Sequence, residues 1–222
     1  MRQISVFLII YLKVFVLNAF SFVEDSDPLR ASMLYARGKG YAIRSLEESS
    51  GVVSLSTLFG EEFKQTLKKI GLKNLSWLFW TSQCWAGWIM LNLDNSEAFI
   101  DVSRVEELMK RTLNLDEKYH YAGPHLVLGG FYGSRTKILG GSPKKARFHF
   151  KRSLEINKRK FLLTQLMFAK TYAVQTQDRD LFESLLKEVL ETSLNSFPEQ
   201  RLANEVAKQK AKDLLGAIDD LF

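Results

Sequence analysis

The sequence predicts an all-α protein built from stacked antiparallel helical hairpins, with a closing C-terminal helix. The chain of 222 residues contains only four prolines, so long stretches carry no residue that breaks a helix. Apolar residues recur at the helical positions i, i+4 and i+7, and no strand-like alternation of useful length follows the N-terminal segment. A hydrophobic content of 46% indicates a globular core of ordinary size.

The N-terminal segment has the composition of a secretory signal. Met1-Arg2-Gln3 is a short basic start, and the apolar run from Ile4 to Phe22 is broken by Lys13 and Asn18. Ala19-Phe20-Ser21 has the small-x-small form that signal peptidase recognises. We therefore predict that residues 1–21 are a signal peptide cleaved before Phe22, and that the protein is exported to the periplasm. An uncleaved membrane anchor is the alternative.

Charge and cysteine content narrow the possible functions. The formal net charge is +6, and removal of Arg2 and Lys13 with the predicted signal leaves +6 − 2 = +4, which is mild. The basic clusters of residues 144–152 and 158–160 are interpreted as solvated helix faces, with no nucleic-acid partner. Cys84 is the only cysteine, which excludes an internal disulfide. Because it lies in an apolar segment, it is expected to be a buried structural side chain.

Four apolar triples repeat at near-regular spacing and indicate a stack of hairpins. They begin at Phe63, Val105, Ala146 and Phe182, with separations of 42, 41 and 36 positions. A first helix is predicted before each triple, and a final helix closes the stack; these five helices are predicted over 29–48, 75–92, 120–134, 158–176 and 199–218.

Residues at the expected helix ends support these boundaries. Ser103 is followed three positions later by Glu106, the pattern of a capping box. Ser142-Pro143 combines an N-cap oxygen with a proline suited to the first helical turn. Asp178 is predicted to cap the helix through Phe182, and Pro198 to separate the last two helices.

One segment resembles a tetratricopeptide repeat (TPR). Its first helix carries Leu128-Gly129 and Tyr132, and its second carries Ala146, Phe150 and Ser153, the residue types that such a repeat uses for packing. Gly129 is expected to allow close helix packing, and Gly140-Gly141 to form a turn. We therefore interpret residues 22–222 as a TPR-like α-helical domain, a class that usually builds binding surfaces.

The sequence carries no recognisable catalytic or metal motif. His120 and His125 are about 140° apart on a helix at ~100° per residue, which does not suit one metal ion. A Cys84–His125 dyad is conceivable, but it has no identifiable carboxylate to orient the histidine. The glycines match neither a dinucleotide fingerprint nor a P-loop. We predict no cofactor, no metal site and no enzymatic activity.

One helix carries all four tryptophans and is the most aromatic part of the chain. Trp77, Trp80 and Trp88 share one broad face and Trp85 lies beside it. Most of this surface is expected to be core. The alternative is that part of it lines an apolar cavity or a subunit contact. Phe148 does not fit the apolar stripe of its own helix and is expected to pack on a neighbouring hairpin or on a partner.

The chain resembles the TRAP-transporter T-component (TatT) family over nearly all of the predicted mature protein. The matching segments are Tyr35-Ala36-Arg37-Gly38, Trp85-Ala86-Gly87-Trp88, Tyr121 to Phe150, Asn204-x-x-Ala207-x-x-x-Ala211-x-x-Leu214-Leu215, and Asp219-Asp220-Leu221-Phe222. The chain departs from the family pattern in lacking a lipobox cysteine and in carrying Thr136 where proline is expected and Ser142 where aspartate is expected.

The resemblance implies a periplasmic helical protein that assembles as a homotrimer around an apolar pore. It also implies a periplasmic TRAP solute-binding protein as partner, and a hydrophobic small molecule as solute. We therefore predict a non-enzymatic accessory component of a TRAP transporter. A general TPR-like envelope scaffold that binds peptides or proteins is the alternative. The predicted ligand- or partner-binding residues are Trp85, Trp88, Tyr121, His125 and Tyr132.

Overall fold

The computed structural model describes residues 2–222, with side chains described from Ile9 onward, and within this range it contains helices and no strand. The prediction of an all-α protein is confirmed. The TPR-like character of the hairpins stays a prediction. The side chains of the basic start of the predicted signal lie outside the described residues.

The chain divides into two compact units, Met1–Asp116 and Glu117–Phe222, called unit 1 and unit 2. The predicted signal peptide lies within unit 1, and the predicted helical domain of residues 22–222 includes parts of both. The limits of that domain and the cleavage site stay predictions. The described residues contain no helix that is both long enough and apolar enough to cross a membrane.

Within its described residues, unit 1 contains five α-helices that pack on one another. They are α1 Arg2–Asn18, α2 Pro28–Ser50, α3 Gly60–Lys68, α4 Leu75–Met90 and α5 Ser96–Leu115. Helix α4 packs against α1, α2 and α5, and α3 packs against α5. Most residues of α4 are apolar and buried, which lets this helix pack against neighbours on several sides.

Unit 2 begins with a helical hairpin and continues with helices of different lengths. Its elements are α6 Tyr119–Gly133, α7 Pro143–Ile156, α8 Leu163–Met167, a π-helical segment Phe168–Ala173, α9 Val174–Thr176, α10 Arg179–Glu191, α11 Arg201–Gly216 and α12 Ile218–Leu221. Helices α6 and α7 pack on each other, and α11 packs against α8 and α10.

The α6–α7 hairpin shows why the glycines of this segment are needed. A Cβ atom at Gly129 would lie 2.9 Å from the ring of Phe150, so glycine lets the two helices approach, as predicted. Gly140 follows the short 3-10 segment Lys137–Leu139 and has a φ of +80°. Residues with an L side chain rarely adopt this φ, so the turn needs glycine here, and the predicted turn is confirmed.

Several predicted helix ends are confirmed. The Ser142 hydroxyl accepts a hydrogen bond from the Lys145 N–H, and the Asp178 carboxylate accepts one from the Leu181 N–H. Pro198 begins a short 3-10 segment between α10 and α11. These signals were readable from the sequence because a cap involves only neighbouring residues.

Two predicted boundaries are wrong. Ser103 does not cap a helix: α5 begins seven residues earlier, where the Asn95 side chain accepts from the Glu97 N–H, and Ser103 lies in mid-helix. The helix predicted from 158 begins at Leu163, because Lys158 and Arg159 adopt positive φ. The distant Asn204 side chain accepts from the Leu162 N–H and fixes this start.

Candidate functional site

The four tryptophans of α4 form the centre of unit 1. Their side chains are buried, with exposed fractions of 2% at Trp80, 1% at Trp85 and 9% at Trp88. This confirms the expectation that the aromatic helix is mostly core. Aromatic side chains of this size contribute large apolar areas to burial, so α4 is expected to dominate the stability of unit 1.

A buried polar cluster joins two of these tryptophans to α5. The Asp101 carboxylate accepts a hydrogen bond from Trp85 Nε1 at 2.6 Å and forms an ion pair with Arg104. Lys39 Nζ lies 3.4 Å from the same carboxylate and 3.7 Å from the ring centroid of Trp88. Burial lowers the pKa of Lys39, and the neighbouring carboxylate acts in the opposite direction.

Sequence reasoning missed Asp101 and Arg104. Their spacing was the usable signal, because residues three positions apart share a helix face. The apolar residues Val105 and Leu108 follow on the same helix, and both are buried. A pair of opposite charges within an apolar stripe indicates an internal ion pair. The predicted binding residues Trp85 and Trp88 are thus brought together, and both contact Lys39.

Tyr121 lies in a left-handed turn at the beginning of α6. His120, Tyr121 and Ala122 have φ values of 46°, 60° and 63°, so the regular right-handed helix begins after them. The Tyr121 ring packs against Phe161 and Phe197, with centroid distances of 5.5 and 4.9 Å. This side chain is half-buried, so part of its surface is accessible.

A network of hydrogen-bonded polar side chains connects α6 with α7. His125 Nε2 lies 3.3 Å from the Glu117 carboxylate, and His125 Nδ1 lies 2.9 Å from His149 Nδ1. Arg152 donates to both carboxylate oxygens of Glu117, at 2.7 and 3.2 Å. These bonds from Arg152, with the one from His125, lower the pKa of Glu117 to about 2.

The electrostatic state of His125 is set chiefly by its burial. The side chain is 3% exposed, and desolvation of the charged form lowers its pKa, although Glu117 partly opposes this shift. The contact between His125 Nδ1 and His149 Nδ1 also requires that one nitrogen carry the proton and the other accept it. Two protonated imidazoles could not make this hydrogen bond.

Tyr132 belongs to the same part of unit 2. Its ring stacks on His149 with a centroid distance of 5.8 Å, and Lys145 Nζ lies 4.8 Å from its centroid. The side chain is 2% exposed. His125 and Tyr132 are therefore brought together through His149, whereas Tyr121 contacts a separate aromatic cluster and the Gln200 side chain. Their predicted role in binding stays a prediction.

The burial of His125 predicts a pH dependence of unit 2. Because its pKa in the folded chain is below the ordinary histidine value of about 6.5, the unfolded chain takes up a proton first as the pH falls. The stabilisation from neutral His125 is complete above pH 6.5 and decreases below it. We expect the free energy of unfolding to fall between pH 7.5 and pH 5.5, measured by urea titration with circular dichroism detection. The His125→Gln variant is expected to show a smaller slope, and equal slopes would contradict the assignment.

Cys84 is a structural residue of unit 1. The thiol is fully buried, and burial raises its pKa to about 12. A Cβ atom at Gly38 would lie 2.9 Å from its Sγ, so α2 approaches α4 closely at this point. His125 belongs to unit 2 and bonds to groups of its own unit. The described residues also contain no group of three or more His, Cys, Asp or Glu side chains suited to a metal ion.

The burial of Cys84 leads to a prediction about its reactivity. A thiol with a raised pKa carries almost no thiolate at neutral pH, so alkylation of the native protein by iodoacetamide is expected to be slower by orders of magnitude than in urea. The Cys84→Ala variant is expected to lose about 1–2 kcal/mol of stability through lost packing. Rapid labelling of the native protein, followed by mass spectrometry, would contradict a buried structural thiol.

The fold and these clusters define an all-α protein whose polar side chains connect helices inside each unit. The model of the family described as TRAP transporter T-component matches residues 5–222. The chain belongs to this family. The predicted resemblance to the TRAP-transporter T-component family is confirmed.

A relative from Treponema pallidum (strain Nichols), described as an uncharacterized protein, is 22% identical over 195 residues. The alignment covers 87% of this chain and 60% of that protein. The chain thus spans less than two thirds of the length of this relative.

Proposed function

We propose that this chain is a periplasmic, non-enzymatic accessory component of a TRAP transporter that docks a solute-binding protein and helps to handle a hydrophobic solute. The family match over residues 5–222 is the observation that carries the proposal. The half-exposed Tyr121 supports it, because tyrosine combines an apolar ring with a polar tip and is common at interfaces. The general envelope scaffold is the competing function.

The five predicted binding residues have two roles in this proposal. Tyr121 contacts the partner directly. The other four are buried and contribute indirectly. Trp85 and Trp88 hold the Lys39 side chain in place. His125 and Tyr132 stabilise the α6–α7 hairpin.

The test is a pull-down with the TRAP solute-binding protein of the same organism, with and without candidate hydrophobic solutes. Wild-type protein is expected to retain the solute-binding protein, and Tyr121→Ala to weaken retention. Tyr121→Phe is the matched control, because it keeps the ring and removes only the hydroxyl bonded to Gln200. If wild-type protein retains no solute-binding protein under any solute condition, the transport function falls and the scaffold function takes its place.

Export and self-association belong to the same proposal. Leu12, Val16 and Ala19 are buried in unit 1, where α1 packs on α2 and α4. Cleavage before Phe22 would remove these side chains and uncover part of the tryptophan helix. The uncovered apolar surface would then be available for a homotrimer around an apolar pore.

Two measurements test this part of the proposal. N-terminal sequencing of envelope-fraction protein is expected to begin at or near Phe22, and an intact Met1 on a cytosolic product would refute export. Analytical ultracentrifugation of the chain beginning at Phe22 is expected to show trimers. A monomer at high micromolar concentration would refute the assembly.

A further inference from the structure

One face of α7 combines three positive charges with an exposed aromatic ring. Lys144, Arg147, Phe148 and Lys151 occupy positions i, i+3, i+4 and i+7, so they lie along one side of the helix. All four are exposed, and Phe148 retains 61% of its accessible surface. Together with Pro143 and Tyr172 they line an open groove with a volume of about 530 Å³. These four residues of α7 are called the α7 basic face.

The charges of this face differ from those of the neighbouring basic residues. Arg152 is paired with Glu117 and Glu155, and Arg159 is paired with Glu188. Within the described part of the chain, the side chains of Lys144, Arg147 and Lys151 make no ion pair or hydrogen bond. Like charges at these spacings repel, at about 0.2–0.5 kcal/mol per pair in isolated helices. From the sequence, the whole cluster was expected to be solvated; in the structure, Arg152 and Arg159 are neutralised by carboxylates, whereas Lys144, Arg147 and Lys151 are not.

The shape of the groove indicates what kind of anion fits it. Lys144 and Lys151 are about 10 Å apart along the helix axis, at 1.5 Å per residue, so the cations are distributed along a line. A small anion would require charges that converge on one point. Tyr172, from the π-helical segment, also lines the groove, and this residue is 9% exposed. An acidic protein segment fits this open groove, because carboxylates placed along the segment can follow the same line of cations.

We propose that the α7 basic face and its groove bind an acidic segment of a partner protein. Carboxylates of the segment pair with Lys144, Arg147 and Lys151, and an apolar side chain packs between Phe148 and Tyr172. Arginine and aromatic residues are enriched at such interfaces, and rim charges accelerate association. The identity of the partner as the solute-binding protein rests on the proposed function, but the acidic chemistry of the segment does not.

The first experiment measures binding of the solute-binding protein by calorimetry. The triple variant K144Q/R147Q/K151Q is expected to bind about tenfold or more weakly, with a weaker dependence on salt. The control variant K64Q/K68Q/K69Q removes the same charge from exposed positions of unit 1 and is expected to bind like wild type. Phe148→Ala is expected to weaken binding severalfold. If both triple variants bind like wild type, the docking surface is wrong while the proposed function stands.

A second probe separates the two hypotheses if wild-type protein does not bind the solute-binding protein. It is a synthetic 18-residue amphipathic helix with glutamates at i, i+3 and i+7 beside leucines. If the wild type binds this peptide, and K144Q/R147Q/K151Q loses the binding while K64Q/K68Q/K69Q keeps it, the result supports the α7 basic face, even though the proposed function has failed. Absence of peptide binding overturns the inference. So does binding only to phosphatidylglycerol vesicles, because the surface would then be a membrane contact.

Discussion

Replacement of Asp101 by alanine is expected to lower the free energy of unfolding of unit 1 by about 3–5 kcal/mol. The carboxylate pairs with Arg104, whose side chain is 5% exposed, and accepts a hydrogen bond from Trp85 Nε1. Its removal leaves a buried guanidinium without its counter-charge and a buried indole N–H without an acceptor. Desolvated groups of this kind are costly when one partner is lost.

The measurement is urea unfolding followed by tryptophan fluorescence, because all four tryptophans lie in unit 1. Asp94→Ala is the matched control, since Asp94 is exposed on the same unit, and its loss is expected to change stability by less than about 0.5 kcal/mol. Asp101→Asn should be intermediate, because the amide oxygen can still accept from Trp85. An Asp101→Ala variant as stable as the control would show that the cluster contributes nothing.

Replacement of Gly141 by alanine is expected to destabilise unit 2 by about 2–4 kcal/mol. A Cβ atom at this position would lie 1.8 Å from the Arg135 carbonyl oxygen and 2.5 Å from its carbonyl carbon. Both atoms belong to the backbone, so no side-chain rotation relieves the clash. The turn between α6 and α7 must then open, and the hydrogen bond from the Gly141 N–H to the Thr136 carbonyl is weakened.

The measurement for Gly141→Ala is hydrogen exchange with mass spectrometry, because unit 2 contains no tryptophan whose fluorescence could report its unfolding. Faster exchange is expected in peptides from α6 and α7, with unit 1 unchanged. Gly40→Ala is the matched control: Gly40 lies within α2, and a Cβ atom there would meet nothing within 4 Å. That control is expected to stabilise the protein by up to about 1 kcal/mol. Equal exchange in Gly141→Ala and wild type would contradict the clash.

Much of the candidate site lay beyond the reach of sequence reasoning. Tyr121, His125 and Tyr132 were predicted because they belong to a distinctive segment, and the structure places His125 and Tyr132 beside His149. The burial of His125 could not be predicted, because a histidine has the same helical position whether its ring packs inward or meets solvent, whereas Tyr132 occupies a packing position of the repeat. The uncompensated charge of the α7 basic face was equally invisible, since the sequence does not show that Arg152 pairs with Glu117 and Glu155 while the adjacent Lys151 has no such partner.

The sequence by itself determined the all-α fold class and the features that depend on near neighbours. The caps at Ser142 and Asp178 are local hydrogen bonds, and the apolar periodicity that predicts a helix is likewise a property of adjacent turns. The start of α8 was decided only in three dimensions, because Asn204 bonds to Leu162 from 42 positions away. The cluster around Asp101 also required tertiary structure, since its members come from α2, α4 and α5. Such contacts depend on which helices become neighbours, and helical periodicity alone carries no record of that choice.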